Sequence, residues 1–157
     1  MDYDEKMADK TTKEFQETSK IITDEINEIF IDKNSLGSTV VALRKFQSSK
    51  VSSKSSDKVE ASVEIIFQAN AGVKEATVKE TFEKAKETPG SLFQGSTFIA
   101  KNLCDSDPCE KITTHCTSED GSFTCSCSKG YFPTGYSDRM CVACPSGERE
   151  EDSKCVP

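Results

Sequence analysis

The sequence predicts an α+β domain followed by a small disulfide-rich β module. Three observations carry that reading. All eight cysteines fall between Cys104 and Cys155, and residues 1–103 contain none. The cysteine-free part shows two stretches of helical periodicity and two of strand-like character. With 157 residues, 34% of them hydrophobic, 30% charged and no Trp, the chain suits one ordinary domain plus a module too small to build a core of its own.

The elements follow in order. Tyr3 to Met7 is expected to open the sheet as a strand. Thr11 followed by Glu14 has the form of a capping box. Behind it Phe15, Ile22, Ile26, Ile29 and Phe30 recur at helical spacing, which leaves Glu17, Lys20, Asp24 and Glu28 on the wet side. Leu36 to Phe46 is a β-branched run and predicts a strand. Lys58 to Gln68 alternates: Val59, Ala61, Val63, Ile65 and Phe67 face one way, Lys58, Glu60, Ser62 and Glu64 the other. Residues 47–57 between them hold six serines and neither Gly nor Pro, the composition of a solvated hairpin loop.

A second helix is expected over Thr77–Lys86, with Thr77 and Glu80 as its capping box. Val78, Phe82 and Ala85 form its apolar face, Glu80 and Lys84 an i,i+4 pair, and Pro89-Gly90 its stop. A last strand runs from Gly95 to Leu103 through Phe98 and Ile99. The order β-α-β-β-α-β is the ferredoxin-like split βαβ arrangement, an antiparallel sheet with two helices on one face. Such a fold says nothing by itself about function.

Composition excludes several classes. The longest apolar stretches, such as Ser38 to Leu43, fall far below the roughly 20 residues a bilayer requires, so direct membrane insertion of this segment is not expected. With 20 basic and 27 acidic residues the net charge is −7 and no basic stripe occurs, which argues against nucleic acid as a partner. An even cysteine count in about fifty residues reads as a disulfide framework, each bridge contributing roughly 2–4 kcal/mol in a module with little core. The implied compartment is oxidising, extracellular or luminal. Met1 is followed by Asp2-Tyr3-Asp4-Glu5, which lacks the regions of a signal peptide. The chain is therefore expected to be a piece of a longer secreted or membrane-anchored protein.

Two families are resembled. Tyr3-Asp4-Glu5-Lys6-Met7, Thr12-Lys13-Glu14-Phe15, the helix end Glu28-Ile29-Phe30, the strands closing at Phe46 and Phe67, and Val78-Lys79-Glu80-Thr81-Phe82 together resemble a SEA domain over residues 1–103. The run Cys104, Cys109, Cys116, Cys125, Cys127, Cys141, with Gly121-Ser122-Phe123-Thr124-Cys125 and Gly130-Tyr131, is similar to an EGF-like domain over 104–143. Spacing alone leaves the pairing open. The EGF resemblance implies Cys104–Cys116, Cys109–Cys125 and Cys127–Cys141. The remaining pair, Cys144–Cys155, is similar to the additional loop of laminin-type modules, so 144–157 is expected to be an extra disulfide loop or the start of a further module. SEA followed directly by EGF resembles the membrane-proximal ectodomain of transmembrane mucins, which implies an epithelial cell-surface glycoprotein.

Many mucin SEA domains cut themselves at a Gly-Ser bond in the hairpin before the third strand, where a serine hydroxyl attacks the preceding carbonyl of a strained peptide. Counted back from Phe67, that position falls on Asp57-Lys58, which lacks both glycine and nucleophile. Gly37-Ser38 and Gly95-Ser96 precede other strands and read as strand-entry turns. The expectation is an uncleaved domain. The loop serines read as a solvated linker ahead of O-glycan acceptors, and no Asn-x-Ser/Thr sequon occurs.

Calcium-binding EGF domains place acidic or amide groups just before the first cysteine and two residues after the third. Here only Asn102 suits, Ser118 does not, and Asp105, Asp107 and Asp120 lie outside the pattern, so no metal site is expected. The four-residue first cysteine spacing and an Arg139 displaced by one from the Gly-x-Arg-Cys ending of receptor agonists argue against a growth factor. Cys141-x2-Cys144 with Cys125-x-Cys127 and His115 makes a poor zinc set. One histidine leaves no Ser/His/Asp triad, and Glu150-Glu151-Asp152 reads as a solvated charge run.

The expected function is thus a non-enzymatic, cofactor-free structural spacer and interaction element at a cell surface. Its expected partners are the neighbouring domains of the same glycoprotein and a cell-surface protein. The alternatives are a self-cleaving SEA domain that forms a non-covalent heterodimer and permits shedding, and an EGF-like receptor ligand.

Overall fold

The computed structural model describes residues 1–46, 58–152 and 154–157. The serine-rich stretch 47–57, Asp57 included, lies outside the described residues. The chain divides into two compact units, Met1–Phe98 and Ile99–Pro157. It is α+β, with two α-helices among the described residues, antiparallel strand pairs and a disulfide-rich second part.

In the first unit the segment expected to open the sheet turns instead. Asp4 accepts the Lys6 N–H at 2.9 Å and caps a 3-10 turn over Glu5–Ala8. A side chain that takes its neighbour's amide removes the donor a sheet ladder needs. Met7 is still buried and Tyr3 still packs on the core. One bridge of strand character remains, antiparallel between Asp2 and Lys58, with Lys58 Nζ 3.0 Å from Asp2 Oδ1. That direction is the one a split βαβ order requires of its first strand.

Helix α1 (Lys13–Ile29) starts one residue later than the Thr11 capping box implies. Thr12 has the extended dihedrals of a cap and accepts the Phe15 N–H at 3.2 Å. Thr11 is spent one turn earlier, where its N–H and hydroxyl donate to Asp9 Oδ1 at 2.9 and 2.7 Å. Those bonds, the hydroxyl first, hold the Asp9 carboxyl below the ordinary carboxylate range. Phe15, Thr18, Ile22 and Ile26 are buried along one stripe, and Phe30, past the helix end, is 1% exposed. Burying a side chain of that size stabilises the fold by roughly 1.5–3 kcal/mol. Thr18 is a core position that apolar periodicity does not show.

Strands β1 (Ser35–Lys45) and β2 (Val59–Phe67) pair antiparallel from Ser35–Phe67 to Lys45–Val59. Val40 and Leu43 are both buried although they stand three positions apart, which simple alternation forbids. A bulge between Val40 and Ala42 resolves this by setting the exposed Val41 out of register. On β2, Val59, Val63, Ile65 and Phe67 pack on the core as the alternation implies, whereas Ala61 is exposed. Phe67 meets Phe30 edge-on at 5.8 Å.

Helix α2 (Glu75–Lys86) begins two residues before Thr77, behind Lys74, and has no side-chain cap. Thr77 is interior, its carbonyl taking the Thr81 hydroxyl. No α2 residue is fully buried. Phe82 packs against Phe93 and Phe98 with ring centroids 5.0 and 5.8 Å apart. The strand expected over Gly95–Leu103 does not form: among the described residues this segment joins no ladder, and the first unit's sheet has two strands where four were expected. Phe98 packs instead against Phe82 of α2.

The second unit opens with a 3-10 turn at Leu103–Ser106. Three antiparallel hairpins follow: β3 (Thr114–Glu119) with β4 (Ser122–Cys127), β5 (Tyr131–Thr134) with β6 (Ser137–Ala143), and β7 (Arg149–Glu151) with β8 (Lys154–Val156). Asp120 and Gly121, both at positive φ (49° and 76°), make the two-residue turn of the first, the conformation that matches strand twist. No described helix is long and apolar enough to cross a membrane.

Candidate functional site

Two places carry the functional residues that the sequence singles out. The first is the entry to β2. Lys58 stands immediately before the strand, its carbonyl accepting the Phe46 N–H at 2.7 Å and its ammonium on Asp2. No hydroxyl belongs to it, and Asp57 lies outside the described residues. Of the two Gly-Ser pairs, Gly37-Ser38 lies inside β1 rather than in a turn ahead of it. Gly37 occupies the first bulge at φ 133°, a conformation that favours glycine. The Ser38 hydroxyl donates to Asn27 Oδ1 at 2.8 Å. Gly95-Ser96 closes a turn with the Ser96 N–H and hydroxyl both on the Phe93 carbonyl, but no strand follows.

The second place is the cystine framework. The structure bonds Cys104 to Cys116, Cys109 to Cys125, Cys127 to Cys141 and Cys144 to Cys155, with Cα–Cα separations of 5.8, 5.6, 5.7 and 5.4 Å. Cys116 and Cys125 oppose each other across the β3–β4 hairpin, yet each bonds a cysteine outside it, tying the residues before β3 onto the hairpin. Cys109 and Cys141 are the buried members. No cysteine is free, so the thiolates a zinc set would need are absent, and His115 is exposed on β3.

Around this framework a polar network holds the chain between Cys109 and Cys116. Glu110 accepts the Ile112 and Thr113 N–H groups at 2.9 and 2.7 Å and the Thr113 hydroxyl at 2.5 Å. These bonds, the hydroxyl first, hold the Glu110 carboxyl below the ordinary carboxylate range. Thr113 Oγ in turn accepts the Cys141 N–H at 3.0 Å, the Glu110 N–H donates to the Arg139 carbonyl at 2.9 Å, and the Thr114 hydroxyl donates to the Glu110 carbonyl. Sequence reading missed this network. Its one local signal is a carboxylate two and three residues ahead of the amides it accepts.

The calcium candidates are occupied by the backbone. Asn102 Oδ1 accepts the Cys104 N–H at 3.0 Å, and Ser118 Oγ accepts the Leu103 N–H at 3.1 Å. Asp105 is exposed in the 3-10 turn, Asp107 ends that turn and pairs with Lys111, and Asp120 lies in the hairpin turn. Arg139 lies over the Phe123 ring instead of projecting free. Glu150, Glu151 and Asp152 are exposed on and after β7.

A helix laid on an antiparallel hairpin, with a second helix after it, and strand entry at Lys58 define the class. A family model described as the SEA domain matches residues 1–89, more than half of the chain, and the chain belongs to that family. Among curated proteins it is similar to Protein HEG homolog 1 of Mus musculus, 40% identical over 65 residues, and of Homo sapiens, 41% identical over 61. These matches cover 40% and 38% of this chain but only 5% and 4% of the relatives, so the chain spans a small fraction of their length. No solved structure matches.

Proposed function

We propose that this chain is a non-enzymatic extracellular module of a membrane-anchored cell-surface protein. In this reading residues 1–103 form the SEA domain, 104–143 an EGF-like domain, and 144–157 an additional disulfide loop. The order resembles the membrane-proximal ectodomain of a transmembrane mucin such as mucin-13, and the local likeness to the HEG homologs supports a cell-surface setting. The SEA domain remains uncleaved, and the two parts act as a structural spacer and interaction element.

The observation that carries this reading is one chain holding a SEA domain and a unit stapled by four disulfides. Such stapling needs an oxidising compartment. It suits a part whose buried apolar residues, among those described, are Cys109 and Cys141 and which therefore gains its stability covalently. The lack of a hydroxyl on Lys58, together with its bridge and ion pair to Asp2, supports the uncleaved state.

Intact mass under denaturing, non-reducing conditions tests it. One species lighter than the reduced chain by about eight hydrogens, two per S–S bond, is expected. Two species summing to the chain plus one water overturn the uncleaved reading, since every cysteine lies at or beyond Cys104 and no disulfide bridges an earlier cut.

A further inference from the structure

The segment that sequence periodicity assigns to a final strand is extended but unpaired. Thr97, Ile99 and Lys101 are exposed and Phe98 and Ala100 half-buried, the period of an extended chain. Among the described residues no backbone group of residues 97–101 makes a hydrogen bond. Ile99 is 80% exposed. Lys101 has no ion-pair partner among the described residues. Every other described lysine and arginine sits in a helix, strand, bridge, turn or helix cap. Order resumes at once on the far side, where Asn102 caps the Cys104 N–H and Leu103 donates to Ser118.

We infer that the Lys101–Asn102 peptide bond is a cleavage site for extracellular serine endopeptidases that accept a basic residue. Such enzymes take substrate in extended form, matching its free N–H and C=O groups with their own as a sheet edge does. They hold the residue before the scissile bond in a pocket with an acidic floor. Residues 97–101 present that form without prior unfolding, with an unpaired ammonium at its end. In the reaction the Lys101 C–N bond breaks. One water supplies oxygen to the Lys101 carbonyl carbon, leaving a carboxylate, and both of its protons to the departing Asn102 nitrogen, which leaves as an ammonium. Because all cysteines follow residue 101, no covalent bond then joins 1–101 to 102–157.

The test is limited digestion of the oxidised, folded protein with catalytic trypsin, followed by non-reducing intact mass. A Lys50→Gln/Lys54→Gln background keeps lysines outside the described residues from competing. The first products expected are 1–101 and 102–157. Lys101→Gln in that background is expected to slow the first cut at least about tenfold, because the remaining sites need local opening. A first cut at another residue, or an unchanged rate in Lys101→Gln, overturns the inference. A protease-free control separates this from the uncleaved reading proposed above: two masses there charge that reading alone, and the carboxy-terminal fragment then serves as the substrate of the same digestion.

Discussion

The guanidinium of Arg139 on β6 lies 5.2 Å from the ring centroid of Phe123 on β4. It joins two hairpins that share no ladder, and it spends intramolecularly the one arginine that a receptor agonist would present. An exposed cation–π contact contributes about 0.5–1 kcal/mol. A double-mutant cycle of Arg139→Ala and Phe123→Ala, read by denaturant unfolding of the oxidised protein, is expected to return a coupling of that size. Strict additivity of the two single variants would remove the contact from the account.

Glu110 makes the second unit sensitive to acid. Its folded pKa lies below the unfolded value of about 4.3, so over that interval the unfolded chain binds more protons. The stabilisation is therefore complete above the unfolded value and is lost as pH falls through the folded one. The gap in Tm between the native protein and Glu110→Gln is expected to be widest near neutrality and to close in acid below the unfolded value. Parallel acid limbs in non-reducing thermal scans would contradict it.

Helix α1 has its cap at Thr12. Thr12→Ala is expected to cost about 1 kcal/mol of first-unit stability. Thr11→Ala, which leaves the Phe15 amide satisfied, is expected to cost less. Circular dichroism of both variants in denaturant decides the order, and equal losses would return the cap to Thr11.

The bulge at Val41 exists to bring two buried residues to one face. Leu43, 2% exposed, is expected to cost about 2–5 kcal/mol when cut to alanine. Deleting Val41 restores plain alternation between Val40 and Leu43, so the deletion is expected to fold and to lose less than Leu43→Ala. An unfolded deletion variant would mean that Val41 itself fixes the twist of the sheet. Thermal melts and amide exchange on the two variants make the comparison.

Local information was enough for some elements. The stripe Phe15, Ile22, Ile26 and Phe30 and the alternation of Val59, Val63, Ile65 and Phe67 were legible, because burial on one face demands a fixed period whatever the rest of the chain does. Thr18 was not legible, since a threonine carries no apolar signature and its burial depends on what lies opposite. Nor were the fates of Tyr3–Met7 and Gly95–Leu103. Strand identity is settled by a partner's edge, and here Asp4 claims an amide locally while Phe98 packs on Phe82. At the candidate sites, the absence of glycine and serine at Asp57-Lys58 is a plain sequence fact. The pairing of Lys58 with Asp2 is a tertiary one.

The sequence by itself determined the α+β class, the helix and hairpin faces and the confinement of all cysteines to one end, because these follow from side-chain period and position along the chain. Only the tertiary structure decided where the bulge falls, which threonine caps α1, that Arg139 covers Phe123 and that residues 97–101 stand unpaired. The cap turns on Asp9 drawing off Thr11 within one turn, and the others on contacts between groups far apart in sequence; side-chain period registers neither, because it reports which face is buried and not which atoms are bonded.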